Sequence, residues 1–456
     1  MEMSPTARLA EFVAALKYQD LPPEVIRHMK LCLLDTIGCG IYGSTLPWGG
    51  ILAEFVRSRG GVPEASVWGG TAKIPAEAAV LANGTFIHGF EMDDLHPRSI
   101  LHPGSVTMPV VIALAEAKDG ISGRDALTAM IAGYEVGART GMAVGAEHLR
   151  RGFHPTGTIG TFAAAAAASK ILGLSPGLTV QALGIGGTQA AGLMAAQYSS
   201  MVKRMHAGRA GQSGVYGALL AERGFTGITD ILEAQYGGFC TTYAEKPDLA
   251  SLTAGLGETY ETMNVGFKPY CCCGSNHTSL DGVKELLAKY NLKPAQIARV
   301  RIYTTRATKM HVGWPYVPES ITTAQMNLYY CVAVLLADGE IFVDQFQPER
   351  LADPAILAWI DQIEVIHDPK LDAAGDAGRH AIRLKFVLLD GTVRATEVRH
   401  AWGSPHRPMK EEEVRRKFAL LAGKVLPPED VEKLATLIDH LEQLDNLAPL
   451  IEILRR

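Results

Sequence analysis

Three successive stretches of small residues constrain this chain more than any other feature. RDALTAMIAGYEVGARTGMAVG (124–145), RGFHPTGTIGTFAAAAAASKILGL (151–174) and TVQALGIGGTQAAGLMAA (179–196) are small or apolar around most of their circumference. A helix without a polar face belongs in a core. Alanine is the best helix former, and small side chains let neighbouring helices approach closely. The stretches therefore predict a close-packed central helical bundle. The composition, 47% hydrophobic and 20% charged over 456 residues, is that of an ordinary globular chain able to bury such a core.

Near residue 265 the pattern changes. RVRIYTTR (299–306) alternates and is rich in β-branched residues, as a strand is. AIRLKFVLLDGTVRATEVRHA (381–401) is two alternating runs about Asp390-Gly391, which predicts a hairpin. Helices are expected between them at 277–290 and 324–337. Residues 409–456 return to helical patterning with no strand partner. The expected fold is mainly α: an all-helical domain from 1–264, a smaller α+β lid domain over 265–402, and C-terminal helices from 403–456 that pack back on the helical domain.

Charge and patterning exclude several classes of function. A net charge of −5 and a pI near 6.3 argue against a nucleic-acid binder, which would show a basic face. The N-terminus is amphipathic, with Leu9, Phe12, Val13 and Leu16 at helical spacing, and does not read as a signal peptide. The longest apolar stretch is too short to span a bilayer. A cytoplasmic location, with no membrane or nucleic-acid partner, is the expectation. Seven cysteines, including the triplet Cys271-Cys272-Cys273, lack disulfide-framework or zinc spacing. H-E-x-x-H, G-x-S-x-G and Walker motifs are absent from the sequence.

What remains is acid–base chemistry. Residues 83–109, NGTFIHGFEMDDLHPRSILHPGSVTMP, put Glu91, Asp93, Asp94, His88, His96 and His102 among turn-formers. The prolines at 97, 103 and 109 predict that no long helix runs through its second half. His154 also precedes a proline, in GFHPTG. Lys203, His206 and Arg209 fall three apart in KRMHAGR and are expected on a shared helical face. Lys268 and His277 flank the cysteine triplet, and Tyr330 sits in the apolar run NLYYCVAVLLADG. Alone, each reads as structural: a His beside a turn is usually a satisfied polar group, and a Tyr in an apolar helix is usually core. As a set, they suit removal of a proton next to a carboxylate, with basic groups binding the anion.

Taken together, the motifs resemble the family of 2-methylcitrate dehydratase, cis-aconitate decarboxylase and iminodisuccinate epimerase. The matching segments include LCLLDTIGCGIYG (31–43), NGTFIHGFEMDD (83–94), HPGSVTMPVVIALAEA (102–117), GFHPTGTIGTFAAAAAASKILGL (152–174), KRMHAGRAGQSGVYGALLAERGFTG (203–227) and KPYCCCGSNH (268–277). The resemblance implies a helical domain with an α+β lid, a site in the cleft between them, a homodimer, and no cofactor or metal. It implies Glu91, His102, His154, Lys203 and Tyr330 as catalytic residues. Asp93, His206, Arg209, Lys268 and His277 would bind a small polycarboxylate. The chain departs from the family at Glu91-Met92-Asp93-Asp94-Leu95, where D-F-D-D-T is the pattern. The implied reaction is hydro-lyase chemistry like that of 2-methylcitrate dehydratase. Epimerisation of a dicarboxylate and cis-aconitate decarboxylation are the alternatives, followed by a non-catalytic binding protein, which would have lost the His and Lys positions retained here.

Overall fold

The fold is described from a computed structural model covering residues 3–118 and 120–456. It is mainly α with a smaller α+β part, and the chain divides into two compact units. One comprises Met1–Met194, Val202–Phe267 and Lys410–Arg456; the other comprises Ala195–Met201 and Lys268–Met409.

The first unit is helical and is built around the small-residue helices. Phe162 and each alanine from Ala163 to Ala168 are fully buried in the Pro155–Leu172 helix. Side-chain size sets how near its neighbours come. A Cβ on Gly214 of the Val202–Glu222 helix would lie 2.4 Å from the Ala164 Cβ, and one on Gly208 would lie 2.0 Å from the Leu81 carbonyl of the Ala76–Ile87 helix. These crossings tolerate no side chain at the contact. The helices Glu411–Ala422, Pro428–Asp439 and Ala448–Leu454 belong to this unit, and Lys417 reaches a buried ion pair with Asp35 of the Pro23–Ser44 helix at 2.6 Å.

The second unit carries a four-stranded sheet: β1 (Ile297–Thr304), β2 (Ile363–His367), β3 (Ile382–Leu388) and β4 (Val393–Val398), in the order β2-β1-β3-β4. β3 and β4 form the hairpin predicted about Asp390-Gly391, with Gly391 at φ 81° supplying the turn. The sequence reading omits β2. It pairs parallel to β1, and IEVIH is too short for its alternation to stand out. Ala195–Met201 joins this unit, where Thr323 Oγ1 donates to the Tyr198 carbonyl and Tyr198 packs edge-on against Trp314.

Several local expectations need correction. The Pro103–Ala117 helix runs through Pro109, against the prediction that the prolines exclude a long helix there. Pro103 stands at the first helical position, where a missing N–H costs nothing, and the helix continues past the one backbone bond that Pro109 cannot make. The helix expected over 179–196 ends at Gly187. A short ribbon pairs Ala65–Ser66 with Lys73–Ile74 in what reads as a plain connection. Among the described residues, no helix is long and apolar enough to cross a membrane.

Candidate active site

Two His-Pro steps place the central imidazoles. A residue before proline is held extended, and proline favours the first turn of a helix. His102 and His154 consequently occupy the N-cap positions of Pro103–Ala117 and Pro155–Leu172. The two helix starts are tied together by the His102 N–H, which donates to Thr156 Oγ1 at 3.3 Å. The His154 N–H donates to the Gly192 carbonyl at 3.0 Å.

The segment leading to His102 is strained. Glu91 (φ 58°) and Ile100 (φ 55°) adopt left-handed backbone conformations, a genuine outlier for a β-branched residue. Such strain persists only where surroundings over-determine it. Here the Gly104 N–H and Tyr134 hydroxyl donate to the Asp94 carboxyl at 2.9 and 2.6 Å. His96 bonds Ser99 at 2.8 Å and Glu261 at 3.1 Å. Leu95 pairs with Gly266 as an isolated bridge.

This scaffold holds a carboxylate between two imidazoles. His88 Nδ1 lies 2.8 Å and His102 Nδ1 3.3 Å from Asp93 Oδ2. Asp93 and His88 are fully buried. Burial pushes the Asp93 carboxyl up, but His102 and His88 outweigh it and hold the group well below the usual carboxylate range. Burial lowers His88 to about 4, against the pull of Asp93, so His88 is neutral at pH 7. Its ring meets His102 edge-on at 4.8 Å between centroids and lies 5.4 Å from that of His154.

His154 faces His206, with Nδ1 atoms 3.0 Å apart. Burial, then the Lys203 charge, lowers both: His154 well below its ordinary value and His206 to about 4. Two neutral rings can share one N–H in that contact. Lys203 is buried and pairs with Glu91, which also accepts from Arg204 Nη1 at 2.5 Å. The site thus offers two imidazoles that share a carboxylate, the neutral pair of His154 and His206, and a buried ammonium.

Most of the expected residues of the first unit converge. Glu91, Asp93, His102, His154, Lys203 and His206 come together there. Asp93, expected to bind substrate, is instead fully buried with Oδ2 taken by two rings, as an orienting carboxylate is. Arg209 does not join them. It is exposed and donates to Gln212 Oε1 at 2.6 Å. At 3.6 residues per turn, six residues on from Lys203 is about a third of a turn off its face. Tyr330, Lys268 and His277 belong to the second unit. The Tyr330 hydroxyl, fully buried, donates to the Gln345 carbonyl at 2.7 Å. His277 Nε2 lies 3.2 Å from the Cys272 carbonyl. Burial pushes the Cys272 thiol up, but a hydrogen bond with Cys331, His277 and the Lys268 charge bring it down to about 5.

The sequence reading gives His88 and Arg204 no role. His88 carried a signal, sitting five residues before Asp93 in the same polar stretch. Arg204 carried little beyond its place next to Lys203. Among the described residues, the ligand atoms of His88, Asp93 and His102 form the group that could hold a metal ion, all within 4.8 Å of one another. The 2.8 Å contact of His88 is that of a hydrogen bond, and His102 Nδ1 lies 3.3 Å both from Asp93 Oδ2 and from the Asp93 backbone carbonyl, to which it is hydrogen-bonded.

The MmgE/PrpD N-terminal domain profile matches residues 7–251 and the MmgE/PrpD C-terminal domain profile matches residues 270–443. The chain is 34% identical to the cis-aconitate decarboxylase-like protein oryM of Aspergillus oryzae, over 98% of this chain and 97% of the relative. It is 30% identical to human cis-aconitate decarboxylase over 100% of this chain and 95% of that protein. It is 25% identical to the mitochondrial 2-methylcitrate dehydratase of Yarrowia lipolytica, over 89% and 81%.

Proposed function

From the premise that the chain belongs to the MmgE/PrpD family, we propose a lyase that decarboxylates a small tricarboxylate of the cis-aconitate type by acid–base chemistry at carbon. The observation that carries this reading is the meeting of His102, partnered by the Asp93 carboxylate, with the neutral His154–His206 pair beside a buried Lys203.

The roles follow from charge. Lys203 provides the ammonium for a substrate carboxylate, and Glu91 keeps its side chain in place. Loss of carbon dioxide leaves an electron pair on carbon that spreads into the adjoining unsaturated carboxylate. The carbon must then receive a proton. His154 faces a neutral ring and the Lys203 charge, so it is a poor holder of that proton. His102 faces an anionic carboxylate, which stabilises an imidazolium, and is the group suited to carry it. Identity over nearly the whole chain to cis-aconitate decarboxylases supports this branch. Dehydration, the branch favoured from sequence alone, is the second reading and is supported by the Yarrowia relative.

The test is proton NMR in D2O with cis-aconitate, 2-methylcitrate, citrate, malate, tartrate and iminodisuccinate. Carbon dioxide release with deuterium entering the product at carbon is the expected result. A new vinyl signal without carbon dioxide establishes the dehydratase. Deuterium in recovered substrate or its stereoisomer, with no alkene formed, establishes an epimerase. No turnover or exchange with any of the six rejects the reading.

A further inference from the structure

We propose that His88 is a positioning residue for the reaction, acting through Asp93: as a neutral imidazole it donates its Nδ1–H to Asp93 Oδ2 and thereby sets how tightly the Asp93–His102 pair holds a proton. The inference rests on the reading of His102 as the proton carrier. Its geometric basis is the shared oxygen, Asp93 Oδ2, at 2.8 Å from His88 Nδ1 and 3.3 Å from His102 Nδ1.

An ionised carboxylate only accepts hydrogen bonds, so the close His88 nitrogen must be the protonated one. His88 is fully buried and remains uncharged down to about pH 4. It therefore supplies a hydrogen bond without a second positive charge. A charged partner would compete with His102 for the carboxylate; a neutral donor tempers Asp93 and leaves it anionic. The ring also lies against both His102 and His154, so its plane helps to fix theirs. The titratable groups facing Asp93 include His88, His102, Asp94, Lys417 and Cys39, and those facing His88 include Lys203, His102 and His154.

The direction of the effect does not depend on where the proton of the pair resides. Without the His88 donor, Asp93 is a stronger base and His102 beside it is more readily protonated. Either event raises the apparent pKa of the coupled pair. A hydrogen bond to a charged group is worth enough to move it by about one pH unit or more.

The experiment compares pH profiles of kcat/KM for the wild-type enzyme, His88→Leu and His88→Asn. Asparagine places an N–H close to the position of Nδ1; leucine keeps volume and removes the donor. The expected result is an acid limb displaced upward by about one unit in His88→Leu, with roughly tenfold lower kcat/KM below it, and restored towards wild type in His88→Asn. Superimposed profiles, or equal displacement of both variants, overturn the proposal. Nitrogen-15 NMR of the wild-type imidazoles is independent of turnover and of whether either variant folds. His88 should be the Nδ1–H tautomer and neutral across pH 5–8. The Nε2–H tautomer, or titration within that range, refutes the role. If the wild type turns over no substrate, the functional reading fails, while the NMR result still decides the state of His88.

Discussion

Removing Glu91 should weigh chiefly on stability, and removing Lys203 chiefly on activity. Glu91 is shared by two buried cations: Lys203, and Arg204 at 2.5 Å. Their side chains are between 0% and 5% exposed, so solvent screens little. Glu91→Gln takes from both cations the charge they share. Breaking a buried ion pair from one side costs about 3–5 kcal/mol. For a unit of about 300 residues, 1 kcal/mol corresponds to roughly 1.6 °C, so the midpoint should fall by about 5–8 °C. Lys203→Met leaves Glu91 its bond to Arg204 and puts an apolar chain of similar length in the place of the lysine. That change should cost less than Glu91→Gln, because Glu91 keeps Arg204 as a partner and no buried charge is left alone. Its effect on catalysis should be large: losing a charged hydrogen bond to the substrate, about 1.5–3 kcal/mol, lowers kcat/KM by about 10–150-fold. Thermal unfolding of both variants, with kcat/KM for the substrate identified by NMR, measures the two effects. If Lys203→Met loses as much stability as Glu91→Gln, or keeps wild-type kcat/KM, the division of roles between these residues is wrong.

Other perturbations follow from the same coordinates. Gly208→Ala would drive a Cβ to within 2.0 Å of the Leu81 carbonyl, a backbone atom that cannot swing aside. Overpacking of this kind costs about 1–3 kcal/mol or more, and since Gly208 lies on the helix carrying Lys203 and His206, activity and the unfolding midpoint should drop together. Glu261 is drawn down to about 2, chiefly by its hydrogen bond from His96 against the opposing effect of burial. A depressed carboxyl contributes stability above its unfolded value, near 4.5, and that stability is lost as the pH falls from there towards 2. Glu261→Gln should therefore flatten the stability-versus-pH curve in that window; a wild-type slope below pH 4.5 excludes this assignment.

The candidate site was legible where chemistry is written into neighbouring residues. The His154-Pro155 step marks a turn into the alanine-rich helix, whereas the N-cap place of His102 emerges only because the helix runs on through Pro109. The 83–109 stretch marks a polar segment between apolar helices. Spacing by threes drifts around a helix, which carries Arg209 off the face of Lys203 to pair with Gln212. A buried arginine is recognised by its partner, and the partner of Arg204, Glu91, is 113 positions away in sequence. Tyr330 lies in a readable helix, yet the partner of its hydroxyl, the Gln345 carbonyl, comes from a separate short segment.

By itself, the sequence determined the class of the fold. Small-residue runs can be satisfied only by close helix crossings, and alternation about Asp390-Gly391 only by a hairpin, since both are periodicities that the backbone imposes locally. It also named most of the titratable groups of the site. The tertiary structure decided what each group does. Whether an imidazole is neutral depends on how deeply it is buried and which charges stand within a few ångströms, as Asp93 does for His88 and Lys203 for His154. Those distances are set by helix crossings whose closeness rests on glycines far away in the chain, and no local pattern records them.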